Sequence, residues 1–284
     1  MKKIGIWKML LLITFVALSV FVVIKINFKS KKEHRHFELS EELEISFTNT
    51  DDIIESIHDG LTAHARSFTI DYRATGDYLE KTQELVDELV NYAMYNTDSP
   101  IEGDYVRYQY GGYSLSYHKS DSGDNYDYQI TITPVYYSTV KEEQEVDYIV
   151  EEILEGLNIG KKASEYDKVK AVYDYICSNV KYDHVHENNS HYYKDSTAYA
   201  ALVEKYASCQ GYAVAVFRLL KELGVECRIV TGTGTNNQGE DEYHAWNEVQ
   251  VDGEYYNIDA TWDAGKDNYQ YFLIKDEEFV NHKK

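Results

Sequence analysis

Cys209 stands in the stretch Tyr206-Ala-Ser-Cys-Gln-Gly-Tyr-Ala213, directly ahead of the apolar run AVAVFRLL. A cysteine is either a small buried hydrophobe or, as a thiolate, a nucleophile. Its position helps to decide. Tyr212, Ala213, Val216, Leu219, Leu220 and Leu223 recur at helical spacing, and Gly224 sits where a left-handed C-terminal glycine belongs. Ser208 is a suitable N-cap. Cys209 therefore falls in the first helical turn, where unpaired backbone N–H groups and the helix dipole favour an anion. Gly211 is expected to keep that turn open to a substrate. The same N–H groups could hold a developing oxyanion, with Gln210 or Tyr182 as side-chain helpers.

A thiolate needs a base, and the segment YHAWNEVQVDGEYYNIDATWD supplies one. VQV-DG-EYYNID reads as a hairpin with Asp252-Gly253 as its two-residue turn. That register sets Val251 against Glu254, Trp246 against Asp259 and His244 against Thr261. Residues 244, 246, 259 and 261 then share one face, and His244 and Asp259 become diagonal neighbours at about 7–8 Å. An aspartate there can fix the imidazole tautomer and stabilise its charged form. Trp246 becomes a site-lining candidate. Cys209, His244 and Asp259 thus supply nucleophile, base and orienter for acyl transfer through a thioester.

The stretches VYDYICSNVKYD, CQGYAVAVFRLLKELGV, HAWNEV and VDGEYYNIDATWD, in this order, resemble the bacterial transglutaminase-like superfamily over about residues 160–275. Cys209, His244 and Asp259 match that family's thiol, histidine and aspartate. The resemblance implies a papain-like α+β core, with the thiol on a helix packed against an antiparallel sheet. It implies a protein or peptide substrate, with an amine or water as the second nucleophile: transferase in one case, peptidase or amidase in the other. A binding protein that keeps the fold without turnover is a third reading, disfavoured by the intact triad. Some animal members need calcium, but GEDE at 239–242 lacks a spaced set of oxygen ligands. It reads as a loop near His244, and neither metal nor cofactor is expected.

The other histidine-rich stretch, DHVHENNSH at 183–191, lacks helical or tight-turn ligand spacing and reads as a polar loop. There are three cysteines, so at least one thiol is unpaired. Cys177, in an amphipathic helix, and Cys227, in a strand, read as small core residues.

Further elements position this core. SEYDKVKAVYDYICSNV is a capped amphipathic helix, and a helix over 142–157 precedes it. TAYAALVEK is a short helix, and VECRIVTGTGT is a strand. Upstream, SEELEISF, RSFTIDYRA, DYVRYQYGGYSLSYHK and NYDYQITITPVYYST alternate like strands, with Gly111-Gly112 marking a turn. LEKTQELVDELVNYAMYN carries a helical stripe. The division expected is an anchor and basic segment at 1–35, an α+β domain at 36–158, and a catalytic domain at 159–284.

Ile4–Ile24 is an apolar run with one charge, Lys8, long enough to cross a bilayer. It is expected to be a single-pass anchor. Lysines flank it on both sides, so the positive-inside rule taken literally leaves the enzyme in the cytoplasm. The acidic domain suits the outside, and an extracytoplasmic site is expected. The whole chain carries a net charge of −21 and residues 1–35 carry +7, so residues 36–284 carry −28, which repels nucleic acid.

Overall fold

The computed structural model describes residues 11–12, 45–46, 50–75, 79–123, 125–160, 162–186, 189, 191–236 and 238–284. They divide into two compact units, 1–95 with 110–136, and 96–109 with 137–284. The unit holding Cys209 therefore begins upstream of residue 159 and includes the helix over 140–157.

The first unit is an antiparallel sheet with two helices. Its strands are β1 (Leu11–Leu12), β2 (Ile45–Ser46), β3 (Phe68–Thr75), β4 (Tyr110–Ser122) and β5 (Asn125–Tyr136), in the order β1-β4-β5-β3-β2. Helix α1 (Thr50–Thr62) buries Ile54, Ile57 and Leu61, and α2 (Leu79–Ala93) buries Leu85, Val86, Leu89, Val90 and Ala93. That α2 stripe recurs at the expected helical period. Ile70, Leu115, Ile130 and Ile132 complete the core from the sheet. Tyr110, Tyr113 and Tyr128 are buried with them, so these tyrosines serve packing.

Two expectations change here. Gly111-Gly112 is not a turn but lies inside β4, where the register against β5 shifts between Tyr110 and Tyr113. Gly112, at φ +96°, absorbs that bulge. Asp104–Arg107, expected as strand, is a single helical turn, α3, of the second unit. Of the expected anchor, only Leu11 and Leu12 are described, as a strand beside Ser114 and Leu115; the rest lies outside the described residues. Among the described residues no helix is long and apolar enough to cross a membrane.

The second unit packs helices on a four-stranded sheet. Helix α4 (Val140–Leu157) starts at a Thr139/Glu142 capping box, and α5 (Glu165–Asn179) at a Ser164/Asp167 capping box. Strands β6 (Lys181–Tyr182) and β7 (Tyr206–Ala207) form a short parallel pair. Between them, TAYAALVEK supplies only a π-turn at Ala200–Glu204. Helix α6 (Cys209–Glu222) is buried on nearly every side, from Gly211 to Lys221. Apart from Arg218 and Lys221, which pair with carboxylates, its buried side chains are uncharged, and α6 is the central element here. It packs on β8 (Cys227–Thr235) and β9 (Asp241–Val251). Strand β10 (Glu254–Ile258) and the C-terminal β11 (His282–Lys283) complete the order β10-β9-β8-β11. Helix α7 (Ala260–Asp263) follows β10.

Asp252 and Gly253, at φ +53° and +81°, make the tight turn between β9 and β10 and set the expected register, with Val251 opposite Glu254. Pairing ends at Ile258 opposite Asn247, however. The Trp246–Asp259 and His244–Thr261 pairs do not form, because the chain turns at Asp259 into α7.

Candidate active site

Cys209 occupies the first position of α6, 7 % exposed, and Ser208 the N-cap. The first intrahelical bond runs from Tyr212 N–H to Ser208 O, so the N–H groups of Cys209, Gln210 and Gly211 precede it. Ser208 does not cap with its side chain. Its Oγ turns to Ser196 Oγ (3.2 Å) and the Asp195 carbonyl (3.3 Å). Gly211 does not open the site either. A Cβ there would stand 2.3 Å from the Asp195 carbonyl oxygen and 2.9 Å from Ala207 Cβ. The glycine lets the first turn of α6 dock on the 195–197 backbone.

His244 rises from β9 toward this turn, buried. Its Nε2 donates to Asp259 Oδ2 at 2.8 Å, which leaves Nδ1 for the Cys209 thiol. Asp259, 0 % exposed, is the N-cap of α7. Its Oδ1 accepts from Thr261 N–H (2.9 Å) and Trp262 N–H (3.2 Å), so it is oriented by a helix cap rather than by a strand. The Trp262 ring stacks on His244, with centroids 4.8 Å apart. Gly234 of β8 makes room: a Cβ there would lie 2.9 Å from Trp262 Cζ2 and 3.0 Å from His244 Cβ.

The pair is electrostatically coupled. Burial alone would lower the His244 pKa, but the hydrogen bonds and charges of Asp259 and Cys209 outweigh it and push it up to about 10. Burial would raise Asp259, but hydrogen bonds from His244 and His282 hold it down at about 2. Imidazolium and carboxylate are the favoured forms, the charge state in which a neighbouring thiolate is stabilised.

The other expected residues divide. Tyr182 lines the same cleft as Cys209 and His244, about 1040 Å³ in volume, together with His184, Tyr243 and Trp262. Gln210 is committed elsewhere: its Nε2 donates to the Tyr108 carbonyl (2.6 Å) and its Oε1 accepts from Tyr243 Oη (3.1 Å). It braces the cleft wall, and its amide does not serve an oxyanion. Trp246 lies behind His244, 1 % exposed, with its indole N–H donating to Asn257 Oδ1 at 3.0 Å, and it does not line the cleft. In the polar loop, His186 Nδ1 and Asp183 Oδ2 pair at 2.7 Å. Glu242, expected in a loop, lies in β9 opposite Gly234 and lines the cleft. Cys177, Cys209 and Cys227 are all free and buried. Burial, reinforced by nearby carboxylates, raises the thiols of Cys177 and Cys227.

His282 was not visible as a site residue in the sequence. Its Nε2 lies 3.2 Å from Asp259 Oδ2. Two positions from the last residue, it belongs to no periodic pattern, and only β11 brings it to Asp259. Tyr173 and Asp263 were also missed. The Tyr173 hydroxyl lies 2.8 Å from the Asp259 carbonyl and 2.9 Å from Asp263 Oδ2, tying α5 to α7. The signal for Trp262 and Asp263 was their place three and four residues after Asp259. Among the described residues, His244, Asp259 and His282 are the one trio of ligand-type side chains close enough to hold a metal ion, with ligand atoms within 4.8 Å of one another. Here they satisfy each other as hydrogen-bond partners.

A thiol at a helix N-terminus, a histidine on the adjacent sheet and a buried carboxylate behind it define the class of papain-like thiol enzymes. Residues 153–260 match the family model of the transglutaminase-like superfamily, whose members are cysteine transferases or proteases, which supports the resemblance read from the sequence over this part of the chain. The chain is 28% identical over 142 residues to the kyphoscoliosis peptidase of Homo sapiens, covering 46% of this chain and 20% of that one. It is 30% identical over 112 residues to the kyphoscoliosis peptidase of Mus musculus, covering 36% and 16%. It thus spans about a fifth or less of the length of these curated relatives. A solved structure described as a TGase aligns over 72% of this chain and 53% of its own, at 19% identity and a TM-score of 0.39.

Proposed function

We propose that the protein is a thiol acyltransferase that takes an acyl group from a protein glutamine or a peptide carbonyl through a Cys209 thioester. The observation that carries this reading is the coupled Cys209–His244–Asp259 arrangement at the start of α6, open to a cleft. The thiolate sulfur attacks the carbonyl carbon, and the Cys209 N–H faces the developing oxyanion, with Tyr182 in the same cleft. His244 gives its proton to the departing nitrogen, so ammonia or an amine leaves and the thioester remains. An incoming amine or water loses a proton to His244 and attacks the thioester, returning the thiolate and the imidazolium.

With a lysine amine as acceptor the product is a crosslink; with water it is a deamidated or cleaved chain. The second reading, a peptidase or amidase, draws support from the name of the human and mouse relatives. In either case the apolar run at 4–24 is proposed to anchor the enzyme, with its cleft on the extracytoplasmic side. That part rests on the sequence alone.

The test is incubation of the full chain with a glutamine-containing protein and a labelled primary amine, beside its Cys209→Ala variant. Label incorporated by the wild type and lost in the variant supports the transferase. Peptide release without label, again dependent on Cys209, selects the peptidase. Turnover that survives Cys209→Ala overturns both.

A further inference from the structure

His282 lies outside every motif that points to Cys209, yet its ring closes on the same carboxylate. The His282 side chain is 1 % exposed. Its Nε2 is 3.2 Å from Asp259 Oδ2 and its Nδ1 is 3.2 Å from the Val280 carbonyl oxygen. Both neighbours are acceptors, so each ring nitrogen faces a hydrogen-bond acceptor. The ring is clamped by Phe279 (centroids 3.8 Å apart), Trp262 (4.3 Å) and the edge of Trp246 (5.0 Å). Strand pairing with β8 sets His282 opposite Gly234, the glycine that also makes room for His244 and Trp262.

The consequence lies in the Asp259 carboxylate. Oδ1 takes two backbone N–H groups, and Oδ2 takes two imidazoles, His244 and His282. The terminal torsion of an aspartate is broad and soft, so the plane of its carboxylate is set by the donors on its two oxygens together. The second imidazole on Oδ2 adds a donor that holds that plane. We propose that His282 is a positioning residue for the reaction at Cys209: it holds Asp259 Oδ2 where that oxygen turns the His244 ring to the thiol. The C-terminal strand is thereby part of the active site. This rests on the reading of Cys209 as the nucleophile; the ring itself is not among the cleft-lining residues.

The test measures the rate of Cys209 alkylation by iodoacetamide at neutral pH, located by mass spectrometry, in the full chain. Wild type is compared with His244→Ala, His282→Ala, His282→Gln and His282→Asn, and each thermal midpoint is recorded. A glutamine amide reaches the place of Nε2, whereas an asparagine amide reaches only that of Nδ1. His282→Ala is expected to slow alkylation about 10- to 100-fold, the effect of losing a hydrogen bond to a charged group. His282→Gln recovers most of the rate and His282→Asn does not, while these two melt alike. Equal slowing by Gln and Asn makes the role packing only and overturns the proposal. Wild-type rates in all three His282 variants, with His244→Ala slow, overturn it while leaving the Cys209 reading intact. A rate unchanged even by His244→Ala overturns both.

Discussion

At the scale of single residues, Asp259 combines two tasks, capping α7 with Oδ1 and holding His244 with Oδ2. The two tasks separate under substitution. Asp259→Asn keeps an acceptor for the cap but loses the anion, and turnover is expected to fall by about 10³- to 10⁴-fold with the fold retained. Asp259→Ala loses the cap as well, and should lower the unfolding free energy by a further ~1 kcal/mol in urea titrations. The pKa directions also set a stability window. His244 is raised from 6.5 to about 10, so its contribution is full below pH 6.5 and is lost as pH rises through about 10. Asp259 is lowered from 3.8 to about 2, so its contribution is full above pH 3.8 and is lost as pH falls through about 2. Thermal midpoints measured against pH should drop on both limbs, and Asp259→Asn should flatten the alkaline one. Cys209, His244 and Asp259 were legible in the sequence because each sits in a local pattern: a helix start, a hairpin strand and the residue after it. His282 was not, since its role depends on a strand of two residues pairing with one about fifty positions upstream. Gln210 was misread because its true partners, Tyr108 and Tyr243, are distant in the chain.

At the scale of elements, the site exists because backbones approach closely. The first turn of α6 lies against the 195–197 segment, and strand β8 lies against the rings of Trp262 and His244. Gly211→Ala puts a methyl 2.3 Å from a backbone oxygen that cannot rotate away. It should destabilise the protein by about 1–3 kcal/mol in chemical unfolding. Gly234→Ala meets side chains instead, at 2.9–3.0 Å. It should destabilise the protein by about 1–3 kcal/mol as overpacking does, and also slow Cys209 alkylation, because His244 and Trp262 must give way. The helices, β8 and the tight turn were legible from period and turn chemistry. The end of β10 was not. Alternation alone extends the hairpin, while Asp259, as an N-cap, ends it in favour of α7. The reason for the glycines was also hidden, since what each glycine touches is a tertiary matter.

At the scale of the whole chain, the Cys209 unit is discontinuous. Gln109 and Tyr137 flank the segment that belongs to the other unit, and the Tyr137 N–H donates to the Gln109 carbonyl at 3.0 Å. The ends of the excursion therefore meet. Within the unit, Asp104 of α3 is buried and accepts from Arg228 Nε at 2.8 Å and Ile229 N–H at 2.9 Å of β8. The core of this unit runs from Tyr105 to Ala260. A chain of residues 96–284, with 110–136 replaced by a short Gly-Ser linker, should fold cooperatively and keep Cys209 reactive toward iodoacetamide. Failure of that chain to fold would mean that the second unit's core depends on the first. The expected boundary at 158 followed the end of the helix over 142–157 and the start of the family resemblance, whereas α3 and α4 group with the downstream residues.

The most direct measurement of the central claim is competition among the three free thiols of the folded full chain, which carry it as internal controls. A substoichiometric pulse of iodoacetamide at neutral pH is followed by mass spectrometry of the peptides holding Cys177, Cys209 and Cys227. The account predicts label on Cys209 almost alone, suppressed by His244→Ala, because Cys177 and Cys227 are raised by burial while Cys209 starts α6 and is hydrogen-bonded to His244. Label on Cys209 no faster than on Cys177 or Cys227 would contradict it.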